Sequence, residues 1–167
     1  LKTRPVVVGA HTKKGLGRGV VSTCNYIARR FGVHSGMSIS EAWRHCSHAA
    51  YLPVRGKLYG ATSQKIMQLL RESVGPGSME QVSVDEAYMD LSWLETFAAA
   101  KNFGLQLQQK IFKEEQLSAS VGIGPNKMIA KIASGFKKPE GLTVVPPSEA
   151  DRFLQPMPVS ALPGVGE

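Results

Sequence analysis

Short apolar runs alternate with stretches of helical periodicity along the 167-residue chain. Pro5–Val8 and the residues from Val20 onward predict two early strands, and Ala50–Val54 predicts an edge strand because its proline lacks an amide donor. Strands at 119–124 and 142–145 follow later. Helical spacing predicts, in chain order, a short helix capped by Thr23 or Asn25 and ended by Gly32, then Ser38–His45, Lys57 to about Val74, Phe97–Ile111, a helix after Asn126 and Ser148–Leu154.

The segment Met79–Ser92, MEQVSVDEAYMDLS, carries the most informative pattern. Apolar and polar residues alternate in both of its halves, with Val82 and Val84 as the apolar positions of a half-buried strand in the first half. The alternation changes parity between the halves, which a turn or bulge explains. We therefore predict a β-hairpin that carries Asp85 and Glu86 at its tip.

Two adjacent carboxylates repel each other, which raises the pKa of one of them unless a cation neutralises the pair. Hard oxygen donors of this kind suit Mg²⁺ or Mn²⁺ together with phosphate oxygens. Asp85 and Glu86 are therefore candidate metal ligands. A solvated acidic turn without function has the same spacing, so both interpretations stay open.

Charge is distributed unevenly between the two parts of the chain, whose formal net charge is +7. Residues 1–71 contain 12 of the 20 Lys and Arg residues and a single acid, Glu41, whereas residues 72–167 contain eight basic and twelve acidic residues. A segment this basic is typical of a phosphate-binding surface. A generically soluble basic face is the alternative.

Several basic side chains could contact phosphate. The loop His11–Gly19 is rich in Gly and Lys, but it lacks the pattern of a nucleoside triphosphatase P-loop. Tyr26 and Arg29 stand three residues apart on one predicted helical face, so a phenol and a guanidinium could reach the same anion. A surface tyrosine stacked by its neighbouring arginine is the commoner explanation of such a pair.

Lysines recur along one side of the helix that Asn126 caps. Lys127, Lys131 and Lys138 fall on that side. The opposite side is predicted to be buried and consists of Met128, Ile129, Ile132, Ala133 and Phe136.

Composition excludes several classes of protein. No apolar stretch is long enough to span a bilayer, and the first residues lack the apolar core of a signal peptide, so we expect a cytosolic or nuclear protein. Cys24 and Cys46 form no metal-spaced cluster, and we expect them to be reduced packing residues. The order of elements predicts an α+β fold, with a ferredoxin-like sheet that has helices on one face and holds the acids, beside a small basic α/β lobe.

Four segments together resemble one protein family. SVDEAYMDLS, CNYIARRFGVHSGM, SVGIGPNKMIAKIASGFKKPEG and the terminal LPGVG are similar, at comparable spacing, to the Y-family translesion DNA polymerases of the DinB, or DNA polymerase IV, type. The resemblance implies a hand-shaped enzyme in which residues 1–55 are fingers, 56–146 a ferredoxin-like palm and 147–167 the start of a thumb.

The resemblance also implies roles for individual residues. It makes both Asp85 and Glu86 catalytic metal ligands in nucleotidyl transfer: Asp85 a ligand of two Mg²⁺ ions and Glu86 a ligand of the ion that activates the primer 3′-hydroxyl, with Mn²⁺ as a substitute. The nucleotide-binding residues would be Thr23, Tyr26, Arg29 and Lys138. Gly164, Val165 and Gly166 would bind DNA phosphate through backbone amides. Primer–template DNA and deoxynucleoside triphosphates are the implied partners, and a sliding clamp is a further candidate.

In the family, a strand with another catalytic Asp precedes the segment matched by LKTRPVVVG. We therefore expect a palm-and-fingers fragment that lacks the first catalytic Asp, most of the thumb and the little finger, and that is inactive or nearly so by itself. Two alternatives stay open. One is another two-metal palm enzyme such as a nucleotidyl cyclase, and the other is a non-catalytic nucleic-acid-binding module.

Overall fold

The computed structural model describes residues 3–165, which fall into two compact units, Leu1–Leu58 and Tyr59–Glu167. The first unit contains β1 (Val6–Gly9), β2 (Val21–Cys24), α1 (Tyr26–Arg29), α2 (Ile39–His45) and β3 (Ala50–Leu52). The helix α3 (Gly56–Val74) contributes all but its first residues to the second unit, which continues with β4 (Met79–Gln81), β5 (Ala87–Met89), α4 (Phe97–Glu115), β6 (Val121–Ile123), α5 (Lys127–Phe136), β7 (Leu142–Val144) and α6 (Ala150–Leu154). The predicted mixture of helices and short strands is confirmed.

The first unit is built on a three-stranded sheet in the order β2-β1-β3. The central strand β1 pairs antiparallel with β2 and parallel with β3. This places the proline-flanked strand β3 at an edge, as predicted. Val7, Val21, Ile39 and Ala42 are almost fully buried in the core beneath the sheet.

Asn25 ties the sheet to α1. Its side-chain oxygen accepts hydrogen bonds from the amides of Val6 and Ala28, both at 3.0 Å, and its amide group donates to the carbonyl of Arg4 at 2.9 Å. Of the two candidate capping residues, Asn25 is therefore the one that caps α1. The same side chain fixes the end of β1 and the start of α1.

The second unit has its main core between α3, α4 and the β4–β5 hairpin. Its buried members are Met67, Leu69, Leu70, Leu107 and Ile111. The predicted apolar stripe of α4 is confirmed, because its small and apolar positions at helical spacing are buried. Tyr59, in the first turn of α3, is exposed, because the buried side of the helix begins one turn later, at Ser63.

The hairpin pairs β4 antiparallel with β5, in the register Met79↔Met89. Its strands are shorter than predicted. Val82 and Val84 are about half exposed and lie in the connecting loop. The loop starts early because the carbonyl of Glu86 accepts the amides of Val82 and Ser83, at 2.9 and 3.2 Å, and so closes the hairpin directly after Gln81.

The strands β6 and β7 pair in parallel, and α5 connects them. The expectation of helices on one face does not hold for this pair. A Cβ atom on Gly104 of α4 would meet Val121, Ile123 and Leu142 on one face, and a Cβ on Gly122 would meet the backbone of α5 on the other. In the described residues β5 pairs only with β4, and β6 only with β7, so the predicted palm sheet consists of two separate strand pairs.

Fewer side chains of the helix α5 are buried than predicted. Ile129, Ile132 and Ala133 are buried, but Met128 and Phe136 are exposed. Asn126 caps the helix as expected, by accepting the amide of Ile129 at 2.9 Å. The predicted lysine side is also shorter, because the helix ends at Phe136, before Lys138.

The two cysteines are free and buried, as predicted for packing residues. Burial raises the pKa of both thiols above the ordinary value. Cys24 donates from Sγ to the carbonyl of Val33 at 3.2 Å.

None of the helices within residues 3–165 combines the length and the apolar character needed to cross a membrane.

Candidate active site

The loop 82–86 carries the two candidate metal ligands at the end of the hairpin, as the sequence predicts. Asp85 is exposed and accepts a hydrogen bond from the hydroxyl of Ser83 at 2.8 Å, while its amide donates back to that hydroxyl oxygen at 3.3 Å. Gln81 holds the same turn by donating from its side chain to the carbonyl of Ser83 at 3.0 Å. These hydrogen bonds fix the backbone of residues 82–86, which we call the acid loop.

Glu86 has a different partner. Its carboxylate forms an ion pair with Lys131 of α5, and both side chains are about 40% exposed. One turn earlier on the same helix, Lys127 forms an ion pair with Glu80 and lies over the ring of Tyr88, 5.5 Å from the ring centroid. The lysine side of α5 thus contacts the polar face of the hairpin.

Strand alternation explains which acids meet these lysines. Glu80 pairs with Tyr88 in the hairpin register, and Glu86 lies two residues before Tyr88, so the three share one face. Met79 and Met89, which pair at the neighbouring position, pack against the core on the opposite face. Because side chains alternate along the strands, the two glutamates lie toward α5 and the two methionines lie toward α3 and α4.

An open cavity of about 660 Å³ lies beside this polar face, wholly within the second unit. Residues of both β5 and β6 line it, and both are strands with one unpaired edge in the described part of the chain. Glu80, Asp90, Glu95 and Lys127 add charge to its wall. The cavity therefore has the polar groups of a ligand site and two strand edges that could accept another strand.

Ser92 holds the carboxylate of Asp90 at the edge of the cavity. The hydroxyl of Ser92 donates to Oδ1 of Asp90, and the amide of Ser92 donates to the same oxygen at 2.8 Å. The Ser92 hydroxyl, followed by the Ser92 amide, lowers the pKa of Asp90, because both bonds favour the charged carboxylate. Asp90 is thus anionic at neutral pH at the edge of the cavity.

The side-chain oxygens of the acid loop are of the kind that bind divalent cations. Asp85 and Glu86 offer carboxylate oxygens on adjacent residues, which hard cations such as Mg²⁺ prefer. Residues 3–165 contain no group of three or more His, Cys, Asp and Glu side chains close enough to hold a metal ion together. The loop therefore supplies part of a ligand set.

The predicted triphosphate-binding residues of the first unit lie around α1. Tyr26 and Arg29 are both exposed, and the guanidinium carbon of Arg29 lies 5.7 Å from the centroid of the Tyr26 ring. The two side chains therefore share a helical face, as the spacing predicts. Thr23 is exposed on β2, opposite Val8 in the strand register.

The remaining predicted site residues lie late in the chain. Lys138 is exposed in the turn that follows α5. Gly164 adopts a left-handed φ of 85°, in a turn where the amide of Val165 donates to the carbonyl of Leu162 at 3.1 Å. Gly166 lies outside the described residues. The roles of all these residues stay predictions.

The structure thus brings Tyr26 together with Arg29, and it places Asp85 beside Glu86. It also identifies partners that the sequence interpretation missed. The helical spacing predicts only that Lys131 shares one side of the helix with Lys127, and the sequence pattern does not single out Glu80. Lys127 and Lys131 are four residues apart on one helical face, and Glu80 and Glu86 are an even number of positions apart. These two spacings are the signal that could have paired them.

Comparison with known proteins adds an independent result. The sequence model of the impB/mucB/samB family matches residues 1–135. "DNA polymerase IV 2" of Methanosarcina mazei is 49% identical over 168 residues, which cover 100% of this chain and 45% of that protein. "DNA polymerase IV" of Methanoculleus marisnigri is 50% identical over 167 residues, covering 100% of this chain and 46% of that protein. The chain spans slightly less than half the length of these curated relatives.

Solved structures agree with the sequence comparison. The crystal structure of DinB from Sulfolobus solfataricus matches with a TM-score of 0.90 and 36% identity, over 99% of this chain and 48% of that one. A structure titled "Insertion ternary complex of Dbh DNA polymerase" matches with a TM-score of 0.89 and 36% identity, again over 99% of this chain and 48% of that one. The described fold is therefore similar to the corresponding part of these polymerases.

Proposed function

The chain belongs to the impB/mucB/samB family, that is, to the Y-family DNA polymerases of the DinB type, and on this premise we propose that the protein is a template-directed DNA polymerase that bypasses damaged bases. The observation that carries the proposal is the acid loop, where Asp85 and Glu86 end a closed hairpin whose polar face meets the lysines of α5. The whole protein would add deoxynucleotides to a primer 3′-hydroxyl, and the cytoplasm is its proposed location.

The residues of this chain would divide the work as follows. Asp85 and Glu86 would hold divalent cations, for which we propose Mg²⁺, with Mn²⁺ as a substitute. Two such ions, when bound, would supply activation of the attacking hydroxyl and neutralisation of charge on the leaving pyrophosphate. Arg29 would donate parallel hydrogen bonds to the incoming triphosphate. Tyr26 would donate a hydrogen bond from its hydroxyl to the same triphosphate.

Lys138 and Thr23 complete the proposed nucleotide contacts. A lysine ammonium supplies a mobile point charge, which suits the changing charge distribution of a triphosphate. Lys138 is exposed, so its ammonium group is accessible to a phosphate. Gly164, Val165 and Gly166 would contact DNA through backbone amides, in line with the left-handed turn at Gly164. Binding of a sliding clamp stays a prediction from the resemblance.

The acid loop needs a further carboxylate, because two adjacent acids are a small ligand set for two ions. We propose that it comes from an additional strand. Residues of β5 and β6 line the same cavity, and each of these strands has one edge without a strand partner in residues 3–165, so a strand that enters there could pair with both. Such a strand would join the two strand pairs into one sheet beside the acid loop.

Primer extension tests the proposed function. The assay uses a form of the protein as long as its relatives, a primed template and Mg²⁺. Asp85→Asn and Glu86→Gln should each lower the rate by about 100-fold or more, because even outer-shell partners of metal ligands contribute about 10- to 100-fold. Glu80→Gln is the matched control, since Glu80 lies on the same hairpin and pairs with a lysine of the same helix.

The control should retain activity within about fivefold, because an exposed ion pair contributes no more than about 1 kcal/mol. Extension that survives Asp85→Asn or Glu86→Gln at the same level as Glu80→Gln would contradict the assignment of the acid loop. A form without any template-dependent extension would contradict the proposed activity itself.

A further inference from the structure

One side-chain nitrogen in the second unit lies close to three backbone carbonyls. Nε2 of Gln108, in the middle of α4, lies 2.8 Å from the carbonyl oxygen of Ala119 and 3.2 Å from those of Glu140 and Gly141. The amide group of a glutamine carries two hydrogens, so three acceptors share two donors. Gln108 therefore joins α4 to two segments that lie far apart in the sequence.

Two of these carbonyls belong to the segment that carries Lys138. Residues 137–141 connect α5 to β7, and we call them the lysine turn. Glu140 and Gly141 are its last two residues. The amide of Val121 donates to the same carbonyl of Gly141, at 2.9 Å. The end of the lysine turn is thus attached both to α4 and to β6.

The backbone of the lysine turn is compact. Glu140 has a left-handed φ of 61°, which a residue with a side chain adopts only at a cost in energy. A Cβ atom on Gly141 would lie 2.1 Å from the carbonyl oxygen of Lys137, so the turn is too tight there for any residue but glycine. Such a backbone needs restraints from its surroundings. Within residues 3–165, Gln108 is the only side chain that donates to it.

The side chain of Lys138 does not fix its own position. It is exposed, and several rotatable bonds separate its ammonium group from the backbone. Ordering such a side chain costs conformational entropy, and the cost grows if the backbone that carries it also moves. The protein therefore limits the region that the ammonium reaches by holding the backbone of the lysine turn.

We propose that Gln108 is a positioning residue for Lys138, because its amide group holds the lysine turn where the ammonium reaches a triphosphate. The role of Lys138 rests on the proposed function, whereas the restraint on the turn rests on the contacts of Gln108. Gln108 would act through Lys138 and not on a reacting group. Its removal should therefore weaken nucleotide binding without altering the chemical step.

Amide hydrogen exchange, followed by NMR, tests the restraint without an assay of activity. Gln108→Leu removes the donor and keeps a side chain of similar size. If the turn loosens, the bond from the Val121 amide to Gly141 opens more often. This amide should then exchange about two- to tenfold faster, the range expected for the loss of one net hydrogen bond. Gln109→Leu, at the exposed neighbour on the same helix, is the matched control and should leave the exchange unchanged.

Single-nucleotide incorporation tests the effect on Lys138, with a form of the protein as long as its relatives, a primed template and Mg²⁺. Lys138→Met should raise the KM of the incoming nucleotide about tenfold or more, because a charge-assisted hydrogen bond is lost. Gln108→Leu should raise it about three- to tenfold and leave kcat within about twofold. A variant that only unfolds in part would instead lower kcat, through its active fraction, and leave the KM unchanged.

Two further variants separate position from stability. In a Lys138→Met background, Gln108→Leu should have no further effect on the KM, because the group that it positions is gone. Gln108→Lys should keep the KM within about twofold of the unchanged protein, because an ammonium offers three donors to the three carbonyls. Gln109→Lys adds the same charge to the same helix and controls for electrostatic attraction of the nucleotide.

The outcomes separate this proposal from the proposed function. Unchanged exchange at Val121 in Gln108→Leu would overturn the restraint, whatever the activity. An unchanged KM, a loss confined to kcat, or a KM effect that persists in the Lys138→Met background would overturn the positioning role and leave the polymerase proposal standing. A protein without template-dependent extension would contradict the polymerase proposal and, with it, the link from Gln108 to a triphosphate. Faster exchange at Val121 together with a KM effect that requires Lys138 supports the proposal.

Discussion

Glu86 is neutralised by a lysine from a distant part of the chain. Its partner Lys131 lies 45 residues later, on α5. A bound cation would compete with this ammonium for the same carboxylate, and an ammonium beside a metal site also repels the metal electrostatically. Lys131 would therefore oppose the proposed binding of a cation at the acid loop.

Replacing Lys131 should strengthen cation binding. We expect Lys131→Met to bind Mn²⁺ about two- to fivefold more tightly than the unchanged chain, because a partly exposed ion pair contributes at most about 1 kcal/mol. The free Mn²⁺ signal in electron paramagnetic resonance measures the affinity directly. Lys127→Met is the control, because Lys127 pairs with Glu80 on the same hairpin face. Weaker binding by Lys131→Met would mean that the lysine supports the ion.

Sequence alone could predict the acids and could not predict their partners. Asp85 and Glu86 are adjacent between two alternating runs, and this local pattern is enough to place them at a hairpin end. The pairing of Glu86 with Lys131 depends on where α5 crosses the hairpin, which is a tertiary property. The sequence pattern predicts Val82 and Val84 in a strand, because apolar and polar residues still alternate there. The hydrogen bonds to the Glu86 carbonyl already close the hairpin at this point, so both valines lie in an exposed loop.

At the level of elements, one side chain couples the central strand of the first unit to the helix that carries Tyr26 and Arg29. Asn25 accepts from Val6 and Ala28 and donates to the carbonyl of Arg4. A helix of four residues has little stability of its own, so its position depends on such contacts. Asn25 is therefore a positioning residue for the proposed triphosphate site.

Removal of the Asn25 side chain should destabilise the first unit. We expect Asn25→Ala to lower the free energy of unfolding by about 2–4 kcal/mol, since it removes a cap and leaves the Val6 amide unpaired. Ser38→Ala, which removes the 3.2 Å cap bond from the Glu41 amide and two longer exposed contacts of the hydroxyl with the Ser40 and Glu41 side chains, should cost about 1 kcal/mol.

Urea unfolding in a Trp93→Phe background measures both variants. Trp43 is then the single tryptophan of the chain, and it lies in the first unit, so its fluorescence reports that unit alone. Equal destabilisation by the two variants would contradict the role given to Asn25 as a link between β1 and α1.

Helices were easier to predict than strands. Ser38 and Asn126 both accept the amide three residues later, as their sequence patterns indicate. The strands are only three or four residues long, which is too short for period-2 patterns to mark their ends. Periodicity could not predict that β5 and β6 are unpaired with each other. Which strands pair depends on packing between residues that are far apart in the sequence.

On the scale of the whole molecule, the basic and acidic parts of the sequence correspond roughly to the two compact units. The first unit ends at Leu58, and the excess of basic charge extends to Arg71 on α3. The assignment of these parts as fingers, palm and thumb stays a prediction. The uneven charge favours a long polyanion as partner over a small nucleotide alone.

Binding of primer–template DNA should therefore depend steeply on salt. If about six phosphates are contacted, affinity should fall by about 1,000-fold between 50 and 200 mM salt. Fluorescence anisotropy across a salt series measures the slope. Weak DNA binding with a flat salt dependence would contradict the proposed polymerase function.

Asp85 and Glu86 of the acid loop are proposed to hold the divalent cations of the polymerase reaction. A crystal structure of the protein with primer–template DNA, a nonreactive deoxynucleoside triphosphate and Mg²⁺ tests it most directly. The prediction is that carboxylate oxygens of Asp85 and Glu86 lie about 2.0–2.2 Å from the ions, with Tyr26, Arg29 and Lys138 within about 3 Å of triphosphate oxygens. A complex in which the two carboxylates bind nothing in common, or in which the three basic and phenolic groups lie far from the triphosphate, would contradict it.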